Sequence, residues 1–262
     1  MKISVLTPAY EAGGYLKRAI TSVMAQEDPN FEHIIVDGGS KDGTLDLLQQ
    51  FPHLTWISEQ DRGQSDAMNK AFDLATGDII VYLNADDWFA PGAFAAVRSH
   101  FELHPQADIV VGNLTLVEGT KETLIIPEVA YTRILQHFKY VFPINPVAYF
   151  YKRTVQEDFG RFPLKESHTM DFYFLLKTFG KFKAEKISAN LGYFDMRVDT
   201  KTGASNARNN CRNCLIRYAF LHNPKILPFY LYAYVINELR TLYWQRIKQP
   251  VLKMTSSSIN LS

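Results

Sequence analysis

The tetrapeptide Asn84-Ala85-Asp86-Asp87 places two adjacent carboxylates directly after an apolar, β-like run at residues 79–83. Carboxylate oxygens are the hard ligands that Mg²⁺ and Mn²⁺ prefer, and Mg²⁺ is usually held by one or two protein carboxylates together with substrate phosphates. The pattern therefore indicates a metal-diphosphate site at the end of a strand. The same residues are equally compatible with an acidic turn that caps a helix near Pro91 and Gly92.

A second polar stretch, from Gly38 to Thr44, follows another β-like run. It lacks the Lys-Ser/Thr pair that a phosphate-binding P-loop would have after Gly43, and it does not match the G-x-G-x-x-G fingerprint of dinucleotide-binding folds. An ATPase and a dinucleotide-dependent enzyme are both disfavoured for this reason. Residues 40–44 also have the composition of a turn and helix N-cap, which is compatible with a functional role.

These polar stretches must be positioned by the elements that precede them. Strands are predicted at residues 3–7, 33–37, 54–58, 78–83, 108–116 and 183–194, and helices at 16–24, 44–50, 65–75 and 170–179. This alternation is typical of an α/β fold with a mostly parallel sheet and flanking helices. Residues 131–151 are rich in aromatic residues and proline, and we interpret them as a substrate-shaping segment without assigned secondary structure.

In open α/β sheets, ligands bind beyond the carboxyl ends of the strands. The residues that follow the predicted strands are unusually polar, and the four such stretches are Pro8 to Glu11, Asp37 to Ser40, Glu59 to Arg62 and Asn84 to Asp87. We therefore expect the chemistry of this chain to lie at one edge of its sheet.

Five motifs occur in order along roughly the first 115 residues, and they are Thr7 to Glu11, Val36 to Thr44, Ser58 to Gly63, Asp66 to Ala71 and Thr76 to Asp87. Together they closely resemble the bacterial family 2 glycosyltransferases, especially those of exopolysaccharide and colanic-acid-like pathways. The resemblance implies a Rossmann-like GT-A fold and a nucleoside-diphosphate sugar donor, with a UDP-sugar expected first. It also implies a hexosyltransferase-like, inverting transfer of a single sugar to an acceptor hydroxyl, with Mn²⁺ or Mg²⁺ as cofactor.

Carried over by position, the resemblance assigns residues to the donor. Those that would bind the nucleotide-sugar are Pro8, Ala9, Tyr10, Glu11, Asp37, Asp61 and Asp86. Asp86 and Asp87 would together bind the metal ion. Asn84 stands where many relatives have aspartate, so we do not assign it to direct metal binding.

A further resemblance lies in the stretch from His168 to Leu176, which is similar to the acidic residue and following helix that supply the family's general base. Such a base would take the proton of the acceptor hydroxyl as it attacks the anomeric carbon. Asp171 is the predicted base and Glu166 the reserve candidate. The alternative for Asp171 is a helix N-terminal carboxylate that is favoured by the helix dipole.

The expected organisation has three parts: a nucleotide-sugar-binding half at 1–117, an acceptor-binding and catalytic-base half of the same domain at 118–204, and a helical extension at 205–262. The chain has two cysteines, Cys211 and Cys214, so no disulfide framework is expected and a reducing compartment is the default. The first residues lack the order of a signal peptide. A cytoplasmic location is the resulting expectation.

The C-terminal extension from Ser205 to Ser262 carries eight basic residues and one acidic residue, beside a tyrosine-rich apolar run at 226–236 that is broken by Pro228. This basic, aromatic segment could lie on an anionic membrane surface, at the inner face of the cytoplasmic membrane. It could equally pack on the catalytic domain or on another subunit. The acceptor is accordingly expected to be a saccharide or a lipid-linked saccharide, with no nucleic-acid partner, and an oligomer is possible.

Two other functions are weighed against the transferase. A nucleotidyltransferase would need a glycine-rich, Arg/Lys-bearing loop after the first strand, where this chain has Thr7 to Glu11. A sugar-nucleotide-binding subunit without catalysis is disfavoured by the presence of Asp37, Asp86, Asp87 and Asp171. A processive synthase would need membrane spans and a Q-x-x-R-W motif, whereas the chain has Trp244-Gln245-Arg246, so single-sugar transfer is favoured.

Overall fold

The computed structural model describes residues 1–129, 143, 145–164 and 170–196, together with 228 and 235. The chain divides into two compact units, Met1–Cys214 and Leu215–Ser262. The predictions for Glu166, and nearly all of those for the C-terminal extension, lie outside the described residues. Within the described part, no helix has both the length and the apolar character needed to cross a membrane.

Nine strands and six helices are described in unit Met1–Cys214. The strands are β1 (Ile3–Ala9), β2 (Phe31–Asp37), β3 (Thr55–Ser58), β4 (Ile79–Tyr82), β5 (Trp88–Phe89), β6 (Ile109–Glu118), β7 (Lys121–Ile125), β8 (Tyr149–Lys152) and β9 (Ala184–Asp195). The helices are α1 (Leu16–Met24), α2 (Thr44–Leu48), α3 (Gln64–Leu74), α4 (Ala93–Leu103), α5 (Arg153–Phe159) and α6 (Met170–Thr178). A short 3₁₀ turn at Pro146–Ala148 precedes β8.

The strands form one mixed sheet in the order β3-β2-β1-β4-β8-β6-β9-β5, with β7 paired to β6. The first four strands of this order are parallel to one another, while β8 is antiparallel to both β4 and β6. From β1 the chain first adds β2 and β3 on one side, and it then adds β4 on the other side of β1. The direction in which strands are added to the sheet therefore reverses at β1. A crevice at the carboxyl ends of the strands is the usual ligand site at such a switch point.

Helices cover both faces of the sheet. Helix α1 buries Leu16, Ala19, Ile20 and Val23, which follow the 3.6-residue period and pack in the same core cluster as Phe94 of α4. The opposite face is covered by α3 and α6, whose residues share a second cluster with aromatic side chains of β8. The predicted α/β fold with a mostly parallel sheet and flanking helices is confirmed.

Strand β8 lies in the middle of the sheet. Its first three residues belong to the aromatic segment at 131–151, which the sequence alone leaves without assigned secondary structure. The side chains of Tyr149, Phe150 and Tyr151 are all buried because both faces of this strand are covered. A short apolar strand buried on both faces has no alternation, so its periodicity does not separate it from a loop or helix. Strands β5 and β7 and helix α5 were also not predicted.

The carboxylate of Glu32 joins the amino-terminal edge of β1 and β2 to the turn before β4. It accepts hydrogen bonds from the Lys2 ammonium and the Ser4 hydroxyl, both at 2.6 Å. It also accepts from the backbone N–H of Thr76 at 2.6 Å and of Gly77 at 3.1 Å. Burial alone would raise the pKa of Glu32, but these hydrogen bonds outweigh it and lower the pKa to about 2.

We predict that Glu32→Gln lowers the free energy of unfolding at pH 7 by about 1–3 kcal/mol, because several donors lose a charged acceptor. Since the pKa of Glu32 in the folded protein lies below its ordinary value of 4.5, this stabilisation is present above that pH and is lost as pH falls towards 2. Urea unfolding across this range should show the two proteins converging at acid pH. Glu122→Gln, at an exposed position of β7, is the matched control, and an equal effect of both substitutions would contradict the prediction.

Candidate active site

The parallel registers bring the predicted polar stretches to one edge of the sheet. Ala9 at the end of β1 pairs with Asp37 at the end of β2, and Asp37 pairs with Ser58 at the end of β3. On the other side of β1, Leu6 pairs with Tyr82, so Asn84 to Asp87 follow at the same edge. The crevice expected from sequence is therefore lined by residues from all four strand ends.

Tyr10, Gly38 and Asp61 converge beside the end of β2. A Cβ atom added to Gly38 would lie 2.9 Å from an Asp61 carboxylate oxygen and 3.2 Å from a ring carbon of Tyr10. A side chain at position 38 would therefore displace Asp61 or Tyr10 from this arrangement. The Tyr10 residue is 62% exposed, so its ring is available to an incoming planar group. An exposed aromatic ring beside a carboxylate suits the stacking and hydrogen bonding of a nucleobase.

Asp37 is fully buried and organises the loop around Gly38. One of its oxygens accepts from the backbone N–H groups of Gly39 at 3.0 Å and Ser40 at 2.9 Å and from the Ser58 hydroxyl at 2.6 Å. The Ser40 hydroxyl donates to the other oxygen. In this conformation both oxygens of Asp37 are engaged by protein donors, so its direct contact with a nucleotide stays a prediction.

Glu11 has a left-handed backbone, with φ of 48°, although it is not glycine. This conformation is held by contacts with the loop after β2, because the backbone N–H of Glu11 donates to Ser40 Oγ at 2.7 Å and that of Ala12 to Thr44 Oγ1 at 2.9 Å. Backbone strain of this kind is concentrated at functional sites. The exposed Glu11 side chain is thereby held at the edge of the crevice.

The two carboxylates after β4 lie in different environments. Asp87 is fully buried and accepts from Asn145 Nδ2 at 2.7 Å, from Asn84 Nδ2 at 2.9 Å and from the backbone N–H of Asp195 at 3.1 Å. Burial raises the pKa of Asp87 and the Asp86 carboxylate adds to the rise, against the effect of the two asparagine donors. Asp86 is partly exposed. Of the pair, Asp86 is the one placed to meet a ligand at the surface.

Arg18 links this acidic turn to the end of β9, and it was not predicted as a site residue. Its guanidinium donates to the Asp86 carbonyl at 2.8 Å and to the Asp195 carboxylate at 2.6 Å. It also lies 3.5 Å from the centre of the Trp88 ring, which stacks on Tyr193. Sequence spacing carries no signal for this contact, because Arg18 reads as a solvent-facing residue of an amphipathic helix.

Asp171 occupies the first turn of α6, where its Oδ1 accepts from the backbone N–H of Phe172 at 2.8 Å. Burial of its carboxyl group raises the pKa of Asp171 to about 6, against that hydrogen bond. The start of α6 is tied to the start of α3, because the Ser65 hydroxyl donates to Met170 Sδ at 3.0 Å. Helix α3 follows the loop that carries Asp61, so Asp171 belongs to the same end of the sheet.

The sequence of the chain matches the profile of the family described as Glycosyl transferase family 2 over residues 4–154. This span runs from the second residue of β1 to shortly after β8, and it includes all the strands between them. The chain belongs to glycosyl transferase family 2.

Relatives of known sequence are also described as glycosyltransferases. TuaG of Bacillus subtilis, provisionally described as a teichuronic acid biosynthesis glycosyltransferase, is 40% identical over 91 residues, which are 32% of this chain. The matches cover only 36% to 46% of the length of the first curated relatives.

Solved structures show the same GT-A fold across nearly the whole chain. The crystal structure of S. aureus TarS 1-349 in complex with UDP-GlcNAc has a TM-score of 0.72 and 17% sequence identity, and it covers 94% of this chain and 76% of that one. The mannosyltransferase PcManGT from Pyrobaculum calidifontis, in complex with GDP-Man and Mn²⁺, has a TM-score of 0.61 and 19% identity, covering 100% and 81% of the two chains. The fold predicted from the sequence resemblance is confirmed.

We predict that Asp86→Asn and Asp87→Asn have different effects. Asp87→Asn replaces one carboxylate oxygen by an NH2 group, which must face donors, either the backbone N–H of Asp195 or the side-chain amides of Asn84 and Asn145, and it should lower the free energy of unfolding by about 1–3 kcal/mol. Asp86→Asn should weaken Mn²⁺-dependent binding of UDP by roughly tenfold or more, because it removes the charge of a carboxylate that is predicted to hold the ion. Urea unfolding and calorimetric titration separate the two effects.

The control for both substitutions is Asp46→Asn, at an exposed position of α2. It should change neither property. Unchanged stability of Asp87→Asn, together with lost metal binding, would show that Asp87 acts as a metal ligand and not as a support for the turn.

Proposed function

We propose that this chain transfers a single sugar from a nucleoside-diphosphate sugar to an acceptor hydroxyl, with inversion and with a divalent metal ion. The observation that carries the proposal is the position of the partly exposed Asp86 and the Tyr10–Gly38–Asp61 crevice at one sheet edge, with Asp171 beginning a helix at the same end. A donor site and a carboxyl group with a raised pKa are the two parts that such a transfer needs.

A UDP-sugar is the first donor to test. TarS has been crystallised with UDP-GlcNAc and PcManGT with GDP-Man, so both nucleotides occur in proteins of this fold. In this chain the exposed Tyr10 ring and Asp61 would bind the nucleobase, with Pro8, Ala9, Glu11 and Asp37 shaping the pocket around the ribose. A role in bacterial surface polysaccharide biosynthesis is supported by the description of TuaG.

The carboxylates after β4 suit a hard divalent ion such as Mn²⁺ or Mg²⁺, because one or two carboxylates and the donor phosphates complete such a site. Asp86 would hold the ion directly. Asp87 would support the turn from behind, since its oxygens already accept three protein hydrogen bonds. When bound, the ion would neutralise charge on the departing diphosphate.

Asp171 would act as the general base. Its carboxylate would accept the proton of the acceptor hydroxyl while the oxygen bonds to the anomeric carbon from the face opposite the diphosphate. The bond from that carbon to the diphosphate breaks as the new bond forms, so the configuration inverts without a covalent sugar-enzyme intermediate. The raised pKa of Asp171 keeps the group close to the proton affinity that base catalysis near neutral pH requires.

Family membership disfavours a nucleotidyltransferase. The second candidate function is a sugar-nucleotide-binding subunit without catalysis, and measurements of binding and of UDP release distinguish it from the enzyme. In that case UDP-sugars with Mn²⁺ would raise the melting temperature, as any native-state ligand does, but UDP release would not exceed the level without acceptor. The proposed enzyme should show both binding and acceptor-dependent UDP release.

We predict that Asp171→Asn abolishes acceptor-dependent transfer while donor affinity stays near that of the wild type, because a base acts on the chemical step. In the wild type, kcat/KM should rise about tenfold per pH unit up to about pH 6 and then level off. The raised pKa also means that ionisation of Asp171 costs stability as pH rises through 6. Asp171→Asn should therefore be more stable than the wild type at pH 7 to 8, by up to about 3 kcal/mol.

The matched control is Glu157→Gln, which changes an exposed acidic residue on α5 and should alter neither activity nor stability. A variant Asp171→Asn that keeps most of its kcat would exclude Asp171 as the base, and Glu166 would become the next candidate. Loss of activity together with loss of stability would instead indicate a structural role.

We further propose that the basic C-terminal extension brings the enzyme to an anionic membrane that carries a lipid-linked acceptor. Vesicle co-sedimentation should rise with anionic lipid content and fall with salt, because each basic residue near such a surface contributes about 1 kcal/mol. Changing Arg240, Arg246 and Lys248 to glutamine should weaken it. The charge-matched control changes the exposed Lys121, Arg161 and Lys181, and equal loss in both triple variants would contradict a role specific to the extension.

A further inference from the structure

Three side chains with metal-ligand chemistry meet where the last part of α4 packs against the beginning of β9. His100 lies in the last turn of α4 and His104 directly follows the helix, with the two rings stacked 4.3 Å apart and 12° from parallel. Glu185, the second residue of β9, lies opposite them. The ligand atoms of the three residues all fall within 4.8 Å of one another.

Both histidines are directed at the same oxygen of Glu185. His100 Nε2 lies 2.9 Å from Glu185 Oε2, and His104 Nδ1 lies 3.3 Å from it. The other oxygen, Oε1, is engaged by Lys183 Nζ at 2.8 Å and by Gln106 Nε2 at 3.4 Å. The carboxylate is thus fixed through Oε1, while Oε2 lies beside the two imidazole nitrogens.

The spacing suits a tetrahedral transition metal ion. Zinc bonds of about 2.0–2.2 Å to nitrogen and oxygen imply separations of roughly 3.3 Å between ligand atoms in a tetrahedral site. In this cluster Oε2 lies 2.9 and 3.3 Å from the two imidazole nitrogens, which is close to that value, and the nearly parallel rings must rotate out of their stacked arrangement for both nitrogens to point at one ion. Two imidazoles and one carboxylate favour Zn²⁺, Co²⁺ or Ni²⁺ over the Mg²⁺ or Mn²⁺ that a carboxylate-diphosphate site prefers.

Solvent can supply the fourth ligand. The side chain of His104 is 45% exposed, whereas those of His100 and Glu185 are mostly buried, at 14% and 18% exposure. The cluster therefore opens to water on the His104 side and is backed by protein on the other. Three protein ligands with an open position form a recognised zinc arrangement.

We propose that His100, His104 and Glu185 form a second metal site, selective for divalent ions of the Zn²⁺ class, which fastens α4 to β9. The site is separate from the donor site, because Asp195 follows Glu185 by ten positions along β9 and extended strand spans about 30 Å over that length. Its ligands take no part in the proposed transfer. Since the site requires the folded packing of α4 on β9, ion binding stabilises the native state.

The test uses the full chain without a polyhistidine tag, stripped of metal with a chelator and titrated with Co²⁺. We expect one Co²⁺ per chain at micromolar concentration, with the visible absorption of a four-coordinate ion and no thiolate charge-transfer band, because none of the ligands is sulfur. Zn²⁺ should displace the Co²⁺, and either ion should raise the melting temperature. His104→Ala should lose the absorption and the thermal shift and keep the metal-free melting temperature, since His104 is the most exposed ligand.

Three controls place the ion. His53→Ala removes an exposed histidine elsewhere, Asp86→Asn affects the donor site, and Cys211→Ser with Cys214→Ser removes the two thiols. All three proteins should keep the Co²⁺ spectrum. The proposal is overturned if no ion binds at micromolar concentration, if His104→Ala binds as the wild type does, or if the spectrum depends on Asp86 or on the cysteines. Failure of this site would leave the proposed sugar transfer unaffected.

Discussion

A single buried carboxylate, that of Asp87, joins three segments that are far apart in the sequence. It receives hydrogen bonds from its own turn through Asn84, from the segment before β8 through Asn145, and from the end of β9 through the backbone of Asp195. A buried carboxylate without partners would be costly, so these three donors must be in place together. The position of Asp86 at the surface follows from this arrangement, because its neighbour is anchored below it.

Arg18 reinforces the same junction from outside. By reaching both the Asp86 carbonyl and the Asp195 carboxylate, it ties the first helix to the acidic turn and to the last described strand. The Trp88 ring beneath its guanidinium adds a cation–π contact. The residues at the four strand ends are thus held in place by contacts between separate helices and strands. Such contacts would help the crevice to keep its geometry when the proposed nucleoside-diphosphate sugar binds.

Ionised carboxylates in this fold have two opposite effects on the free energy of unfolding: some raise it and others lower it. Glu32 is surrounded by donors, so its pKa falls and its charge stabilises the fold. Desolvation of the Asp171 carboxyl group outweighs its hydrogen bond from the Phe172 N–H, so its pKa rises and its charge costs stability. A carboxylate kept at such a cost suits acid-base chemistry, since environments that push pKa values apart are how proteins assign different roles to the same residue type.

The sequence by itself determined the α/β class, most of the parallel half of the sheet, and the edge at which the polar residues collect. These features depend on local periodicity and on the rule that ligands bind at the carboxyl ends of strands. Only the tertiary structure decided which side chains at that edge are exposed and which are buried. Asp37 and Asp87 read as exposed strand-end acids but are buried, while Arg18 and Asn145 carry no local signal. Burial and long-range pairing depend on the packing of distant segments, and β8, hidden on both faces, shows no pattern from which its place in the sheet could be inferred.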